Sequence, residues 1–484
     1  MKLFQLAGIV RLAAAALTLA GPVMAQVDDY RKIQKPALAP FQPQQPQRLV
    51  LENGMVIFLQ EDHELPLING FAVVRGGSRE EPATKTGLVR ILGEVWRTGG
   101  TRARTGDKLD DFLEARGAQV ETGGNEDSTR ISWSCLKADF DDVFGVFLEV
   151  LQQPEFREDK IVLAKTAENT AVSRRNDSFT EISFREGAKL AYGADNPYVR
   201  QTEYATIAAV TREDLLNWHK VYTHPNNMIL GVVGDFDSAA IEMKLRQGLG
   251  HWSKGKPAEP ARVEFRDPKA GIYFIEKNDV NQSAISMVHL GSRRDNPDYY
   301  AIEVMNQVFG GSFAARLFSN VRSKKGLAYA VFGEVGSEFD HPGVFQVWMT
   351  TKSGTTAQSI DALYRELDDI TGQKPPSAEE LQRAKESIEN SFVFRFDTKQ
   401  KVLRERINYE FHGYPADFLE RYLAGVQRVT IEEVAAAAKS YIHREKLAIL
   451  VVGKAADFDR PLSSFGPLTA IDITIPKPEE KAKP

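Results

Sequence analysis

The chain repeats one order of motifs, and such a duplication restricts the fold to two similar halves. A Gly-Ser-Arg segment at Gly77–Arg79 recurs at Gly291–Arg293. At Val210–Thr211, a Val-Thr pair is followed by a helical pattern and then by a buried apolar strand. The same series recurs from Val429–Thr430. Each threonine is followed by a carboxylate two or three residues on, which indicates a helix N-cap. We therefore predict two halves of like topology.

Shifts in composition predict the segments around these halves. Residues 1–25 combine positive charge, a short apolar run and small residues before Gln26, which is typical of a signal peptide. The next segment is rich in Pro and Gln and predicts an extended arm. We assign the remaining segments as follows: the arm to 26–47, the first half to 48–250, a linker to 251–262, the second half to 263–460 and a frayed tail to 461–484.

Within each half, short strand patterns alternate with amphipathic helices. Val56–Leu59 and Gly70–Val74 have the period of two that is typical of half-buried strands. Lys108–Arg116 and Asp139–Leu151 have helical spacing. Helices that are segregated against mostly antiparallel strands predict an α+β fold.

Composition excludes several classes of protein. The chain is 42% hydrophobic and 26% charged with a net charge of −5, so it lacks the basic surplus that favours nucleic-acid binding. Cys135 is the single cysteine, so no intrachain disulfide forms. We expect Cys135 to be an inert thiol in a strand. Beyond the signal peptide we predict no membrane span.

The stretch from Val308 to Tyr329 predicts a turn, a short helix and a strand. Gly310 and Gly311 break the preceding helix, and the helical pattern begins at Ser312. Its last turn presents Arg322, and the following apolar strand presents Tyr329. A guanidinium and a phenol at such a junction could both donate hydrogen bonds to one peptide carbonyl. The residues alone favour the alternative, a surface arginine and a half-buried strand tyrosine.

This stretch resembles the second-half motif of the insulinase/pitrilysin-type zinc peptidases. In that family a Gly-Gly-x-x-x-x-Arg-Leu-Phe run leads to an Arg and a Tyr that contact the substrate near the scissile bond. The positions in register are Gly310, Gly311, Arg316, Leu317, Phe318, Arg322, Gly326, Leu327, Ala328 and Tyr329.

The resemblance extends over roughly residues 48–459. It implies that each half is a pair of α/β sandwich subdomains and that the halves close like a clamshell around a peptide. It also implies that Arg322 and Tyr329 contact the substrate carbonyl, and that Gly310, Gly311 and Ser312 bind the peptide.

Catalytic members of that family carry a helical His-x-x-Glu-His motif in the first half, where the His residues bind zinc and the Glu is the general base. The flanks of that motif match here around Gly87 and Thr101. Arg90 stands at the first His, Gly93 at the Glu and Glu94 at the second His. We therefore predict a degenerate site with no metal in this chain.

The later zinc ligand of the family falls on Thr170 or Ala171, with Glu168 as the nearest carboxylate. Glu94 and Glu168 alone are too few ligands for zinc. We expect Arg90 and Glu94, which share a helical face, to form an ion pair in the vacated space.

Two functions from different classes remain open. In the first, the chain is the non-zinc subunit of a periplasmic two-chain zinc peptidase. It supplies Arg322 and Tyr329 to a homologous subunit that holds the zinc, and metalloendopeptidase activity exists only in the complex. In the second, it is a catalytically inactive peptide-binding or scaffold protein of the same fold.

Overall fold

The fold is described from a computed structural model that places residues 44–256 and 263–477. The predicted signal peptide, nearly all of the predicted arm and half of the predicted linker lie outside the described residues. Among the residues placed, no helix is long and apolar enough to cross a membrane.

The first half is a six-stranded sheet with eight α-helices among the residues described. The strands are β1 Gln47–Val50, β2 Val56–Glu61, β3 Leu67–Arg75, β4 Gln119–Gly124, β5 Ser128–Leu136 and β6 Met228–Gly234, and their order in the sheet is β1-β2-β6-β3-β5-β4. The helices are α1 Leu88–Thr98, α2 Gly106–Glu114, α3 Phe140–Gln152, α4 Glu158–Arg174, α5 Phe179–Tyr192, α6 Tyr204–Ala209, α7 Arg212–Tyr222 and α8 Ser238–Leu249.

The second half is a seven-stranded sheet with its own set of helices. The strands are β7 Gly271–Glu276, β8 Gln282–Leu290, β9 Ser292–Arg293, β10 Ala330–Glu338, β11 Pro342–Lys352, β12 Ala448–Gly453 and β13 Leu468–Ala470, in the order β13-β7-β12-β8-β11-β10-β9. The α-helices are α9 Tyr299–Phe309, α10 Thr356–Asp368, α11 Ala378–Phe392, α12 Lys399–His412, α13 Phe418–Arg428 and α14 Ile431–Tyr441. A π-helix spans Leu317–Lys324, and a second π-helical turn, Asp369–Gln373, follows α10.

The two halves have corresponding helix starts and strand arrangements. The hydroxyl of Thr211 accepts from the main-chain N–H of Asp214, and the hydroxyl of Thr430 accepts from that of Glu433. These are the predicted N-caps, each completed by the carboxylate three residues on. Antiparallel strand pairs outnumber parallel ones in the described sheets. The predicted α+β fold with mostly antiparallel sheets is confirmed.

Each sheet is covered on one face by a helix from the other half. Helix α5 of the first half packs on β8 and β12, where Ile182 joins Leu450 and Val452 in one buried cluster. Helix α12 of the second half packs on β2 and β6, where Leu403 and Ile407 join a second cluster. Burial of these apolar side chains stabilises the contact between the halves rather than either half alone. The halves are therefore interlocked.

The tail is ordered further than expected. Residues 468–470 form β13 beside β7, and the main-chain N–H of Ile471 donates to the Phe274 carbonyl over 2.9 Å. Ile473 packs in the cluster that holds α5, and its carbonyl accepts from the Asn176 side chain over 2.7 Å. The prediction of a frayed tail from 461 is wrong for this segment. Its alternating isoleucines give it a half-buried face, which the Pro and Lys content obscured.

Cys135 lies on β5 and is buried, with its Sγ 3.6 Å from the Ile68 carbonyl oxygen. Burial raises the pKa of the thiol to about 12. Because the thiolate is the reactive form, a raised pKa makes the thiol unreactive near neutral pH.

Candidate functional site

The glycine pair ends α9 and lets the chain pass close to β10. A Cβ atom on Gly310 would lie 2.3 Å from the Gly333 nitrogen, so only glycine fits there without a backbone shift. The following residues, 311–315, form turns, and the π-helix begins at Leu317. The predicted helix start at Ser312 is therefore wrong. Leu317 and Val321 are its buried residues, so the apolar signal was read correctly but extended too far towards the glycines.

Arg316 of the motif is a structural residue. Its Nε and Nη2 atoms donate to the Glu380 carboxylate, each over 2.7 Å, and its Nη1 donates to the Lys374 carbonyl over 2.5 Å. A bidentate pair of this kind fixes both position and orientation. Arg316 therefore anchors the start of the π-helix to α11 and is not available to a substrate.

Arg322 and Tyr329 are brought together by the turn at Gly326. The Nε of Arg322 donates to the Tyr329 carbonyl oxygen over 2.9 Å, and its guanidinium lies 4.5 Å from the centre of the Phe318 ring. On the other side of the chain, the Tyr329 N–H donates to the Thr350 carbonyl over 3.0 Å. The main chain of Tyr329 is thus held through both its polar groups.

The side chain of Tyr329 is 80% exposed, and its hydroxyl has no hydrogen-bond partner among the residues that the structure describes. The alternative of a half-buried strand tyrosine is therefore wrong. The phenol is therefore accessible as a hydrogen-bond donor, while its main chain is held in place.

Phe313, in the glycine turn, is a surface residue that the sequence analysis did not single out. It is 83% exposed, and its ring packs edge-on against Phe318 at 4.9 Å. Ser312 and Phe313 border a shallow cavity of about 290 Å³ against α11. The signal for Phe313 in the sequence was an aromatic residue two positions after the glycine pair, where no core position was predicted.

The zinc-motif positions lie on α1 and make other contacts than predicted. The Nη2 of Arg90 lies 3.0 Å from Oε1 of Glu168, which is on α4. Glu94 is exposed, and no ion pair joins it to Arg90 in the described part of the chain. The predicted Arg90–Glu94 pair is therefore wrong. Glu168 approaches Arg90 from the adjacent helix and lies in a more buried position, where an ion pair is less screened by water.

Gly93 is the position where the family has its general base, and here it permits a close helix–strand contact. The Thr122 hydroxyl donates to the Gly93 carbonyl over 2.6 Å, and a Cβ on Gly93 would lie 2.8 Å from the Gly123 carbonyl carbon. No glutamate fits there unless α1 and β4 move apart. Across residues 44–256 and 263–477, no three His, Cys, Asp or Glu side chains are grouped so as to hold a metal ion. The residues at this place do not fit zinc.

The two motifs lie in different halves of the chain. Arg90 and Gly93 are on α1 beside β4, whereas Arg322 and Tyr329 flank the start of β10. No hydrogen bond or ion pair joins the two motifs among the described side chains. The structure thus brings Arg322 and Tyr329 together in the second half, and among the described residues it groups no set of metal ligands at the zinc-motif positions.

Comparisons with known proteins match segments in both halves of the chain. Residues 61–187 match the family described as insulinase (peptidase family M16), and residues 209–388 match the peptidase M16 inactive domain. A Helicobacter pylori protein named "Non-peptidase homolog YmxG" is 23% identical over 403 residues, which is 82% of this chain and 91% of that protein. A Rickettsia felis protein named "Uncharacterized zinc protease" is 23% identical over 351 residues, or 71% of this chain and 82% of that protein.

Solved structures show the same fold. A peptidase M16 inactive domain from Pseudomonas fluorescens superposes with a TM-score of 0.76 at 24% identity, covering 84% of this chain and 98% of that chain. A Helicobacter pylori protease superposes with a TM-score of 0.73 at 17% identity, covering 85% and 100%. With the two matched segments, the duplicated α+β halves and the Arg/Tyr motif in register, the chain belongs to the insulinase (M16) peptidase family.

Proposed function

We propose that this chain is the non-zinc subunit of a heteromeric zinc peptidase and supplies Tyr329 and Arg322 to the active site of a homologous zinc-bearing partner. The observation that carries the proposal is the Tyr329 side chain, which is 80% exposed although its main chain is hydrogen-bonded on both sides. A structural tyrosine would bury its ring or bond its hydroxyl.

Peptide hydrolysis places negative charge on the scissile carbonyl oxygen in the transition state. A donor already fixed near that oxygen stabilises the transition state more than the bound substrate. The phenol of Tyr329 can donate one hydrogen bond. The Nε of Arg322 already donates to the Tyr329 carbonyl, so the terminal nitrogens of Arg322 remain as donors to a substrate. In this proposal both residues act on peptide bound by the partner, and the partner supplies the metal.

We further propose that the complex forms in the periplasm. The support is the pattern of residues 1–25, which has the charge, apolar run and small residues of a cleaved signal peptide.

A scaffold or peptide-binding function is the second candidate. It is favoured by the two contacts that Arg322 makes within the chain, with the Tyr329 carbonyl and with the Phe318 ring. An arginine retained only to shape the turn before β10 would make the same contacts. This candidate predicts that loss of the Tyr329 hydroxyl has no effect on any reaction.

The deciding experiment is a reconstitution. The chain is co-expressed with a homologue that carries His-x-x-Glu-His, and the purified pair is assayed on a quenched fluorescent peptide. Tyr329→Phe should leave assembly unchanged and lower kcat by about 10²–10³-fold, the usual cost of one transition-state donor. Tyr300→Phe is the matched control, because Tyr300 is a half-exposed tyrosine of the same half that lies on α9. Equal kcat values for Tyr329→Phe and the control would exclude the role in trans.

A further inference from the structure

A cavity opens beside Tyr329 where β10 and β11 separate. Its volume is about 610 Å³, and Gly326–Tyr329 form one wall while residues 351–354 form the other. Gly326 has a φ of +65°, and this left-handed turn directs the wall away from the π-helix. The cavity therefore adjoins the exposed side chain of Tyr329.

Hydrogen-bond donors line this cavity. Lys352 is exposed, lies on its wall and has no carboxylate within ion-pair distance among the residues placed. Asp457 at the rim already pairs with Lys454 at 3.0 Å, so its charge is offset. Lys352 is therefore the charged group of this wall whose charge is not offset by a described ion pair, and it favours a negatively charged ligand group.

Ser353 supplies an independent indication of a ligand. The residue is only 4% exposed and lines the cavity, yet its Oγ has no hydrogen-bond partner in the described structure. The neighbouring Thr351 hydroxyl differs, because it donates to the Leu327 carbonyl over 2.7 Å. A buried hydroxyl without a partner costs free energy that a bound acceptor recovers.

We infer that this cavity receives the carboxylate of an acidic side chain of the substrate, with Lys352 as its ionic partner and Ser353 as its hydrogen-bond donor. The inference rests on the proposed function, because Tyr329 places the scissile bond at the cavity mouth. Neighbouring side chains of an extended peptide are about 3.3 Å apart along the chain, so a residue adjacent to that bond reaches the cavity. The substrate class is a peptide with Asp or Glu next to the cleaved bond.

The test measures binding to the full chain without a partner, by fluorescence anisotropy. Three labelled, C-terminally amidated hexapeptides differ at one central position, which holds Glu, Gln or Lys, and a fourth holds Gln but has a free C-terminal carboxylate. The Glu peptide should bind about tenfold more tightly than the Gln peptide, as expected for one charge-assisted contact. The amidated and free Gln peptides should bind alike. Tight binding of the free Gln peptide would assign the cavity to a terminal carboxylate and overturn the side-chain inference.

Variants test whether Lys352 itself, rather than the net charge of the chain, causes the preference for the Glu peptide. Lys352→Gln should abolish the difference between the Glu and Gln peptides, Ser353→Ala should reduce it, and Lys352→Glu should make the Lys peptide the tightest. Lys439→Gln, a change at an exposed lysine of α14 outside the cavity, should preserve the wild-type preference. Equal binding of the amidated peptides, a preference that persists in Lys352→Gln, or no binding at all would overturn the inference.

The outcome is separable from that of the proposed function. Tyr329→Phe removes a hydroxyl that acts on the scissile carbonyl, so the charge preference should survive it while kcat of the reconstituted pair falls. If the wild type shows no preference for the Glu peptide but Tyr329→Phe still lowers kcat, only the inference about the cavity is overturned. An unchanged kcat with an intact preference overturns the role in trans alone.

Discussion

The Nε of Arg322 donates to the main-chain carbonyl oxygen of Tyr329 over 2.9 Å, so the two motif residues form one unit. The guanidinium fixes the segment that carries the phenol, and the phenol itself stays in solvent. Substitution of Arg322 is therefore expected to change the position of Tyr329 and also to remove a hydrogen-bond donor. The two residues are expected to differ in what their substitution does to the free chain.

We predict that Arg322→Ala and Tyr329→Phe differ in their effect on the rate of amide hydrogen exchange. Arg322→Ala removes the bond to the Tyr329 carbonyl, so amide exchange across Gly326–Ala330 should quicken, whereas Tyr329→Phe should leave it unchanged. In a reconstituted peptidase both variants should lower kcat, and Arg322→Ala should also raise KM. Unaltered exchange in Arg322→Ala would show that the hydrogen bond does not hold this segment.

We predict that Gly93→Ala destabilises the chain. Its Cβ would lie 2.8 Å from the Gly123 carbonyl carbon, so α1 must move from β4 at a cost of about 1–3 kcal/mol in the free energy of unfolding. Gly145→Ala in α3 is the matched control, because a Cβ there meets nothing within 4 Å. It should stabilise the chain by about 0.5–1 kcal/mol. Urea denaturation of both variants measures the difference, and similar changes would contradict the packing argument.

We predict that zinc does not return when the motif is rewritten. The triple change Arg90→His, Gly93→Glu and Glu94→His restores the ligand types but places a side chain where α1 touches β4. After exhaustive dialysis, both the wild type and the triple variant should contain well under one zinc per chain by elemental analysis. A stoichiometric ion in the triple variant would mean that the helix moves aside at little cost.

The sequence was sufficient to find the parts of the site that depend on local chemistry. Gly310, Gly311 and Gly326 were identified because turns depend on residue type. Arg322 and Tyr329 were singled out by the family resemblance, because the residues alone allowed another interpretation. The predicted ion-pair partner of Arg90 was wrong because the rule for pairs three or four residues apart considers only residues on one helix. Glu168, on another helix, competes with Glu94, and its position depends on packing that no local pattern records.

We predict that the halves stay together after the linker is cut. With a specific protease site inserted within residues 257–262, the cleaved fragments should co-elute in size-exclusion chromatography, because α5 and α12 remain packed on the opposite sheets. Ile407→Ala should weaken this association, since the side chain is buried in the cluster between α12 and the first sheet. Ile388→Ala, in buried packing of α11 within the second half, is the control that should not separate the fragments. Dissociation of the wild-type fragments would contradict the interlocked arrangement.

We predict that stability falls as the pH drops from about 6.5 to 4. The ring of His289 is buried, its Nε2 accepts from the His443 N–H over 3.1 Å, and burial lowers the pKa of His289 to about 4. Burial also lowers the pKa values of His219 and His412 to about 4. Below pH 6.5 the unfolded chain therefore binds protons that the folded chain does not, and stability falls by up to about 1.4 kcal/mol per pH unit for each group.

The corresponding measurement is urea denaturation at a series of pH values. His289→Gln keeps a side-chain acceptor but removes the titrating group, so the slope between pH 6.5 and 4 should become shallower. His251→Gln, at an exposed position, is the control that should retain the wild-type slope. If the free energy of unfolding depends on pH in the same way in both variants, His289 does not contribute to the fall in stability.

The halves themselves were visible in the sequence, but their interlocking was not. Helix α12 buries Leu403, Ile407 and Phe411 at intervals of four residues, and nothing in that spacing says which sheet they cover. Ile407 lies directly against Gly231 of β6, where a Cβ would meet its Cδ1 at 2.4 Å. That contact depends on a glycine in a distant strand, so only the three-dimensional arrangement identifies it.

The position of α5 affects how the chain can fold during synthesis. This helix ends at Tyr192, but the strand that completes its binding surface, β12, begins at Ala448. Until that strand has emerged, the surface that α5 covers is incomplete, and part of its apolar face is open to chaperones or to aggregation. Contacts so distant in sequence also slow folding, because the intervening loop must close before they form. The docking of α5 is therefore complete only after the end of the chain has been synthesised.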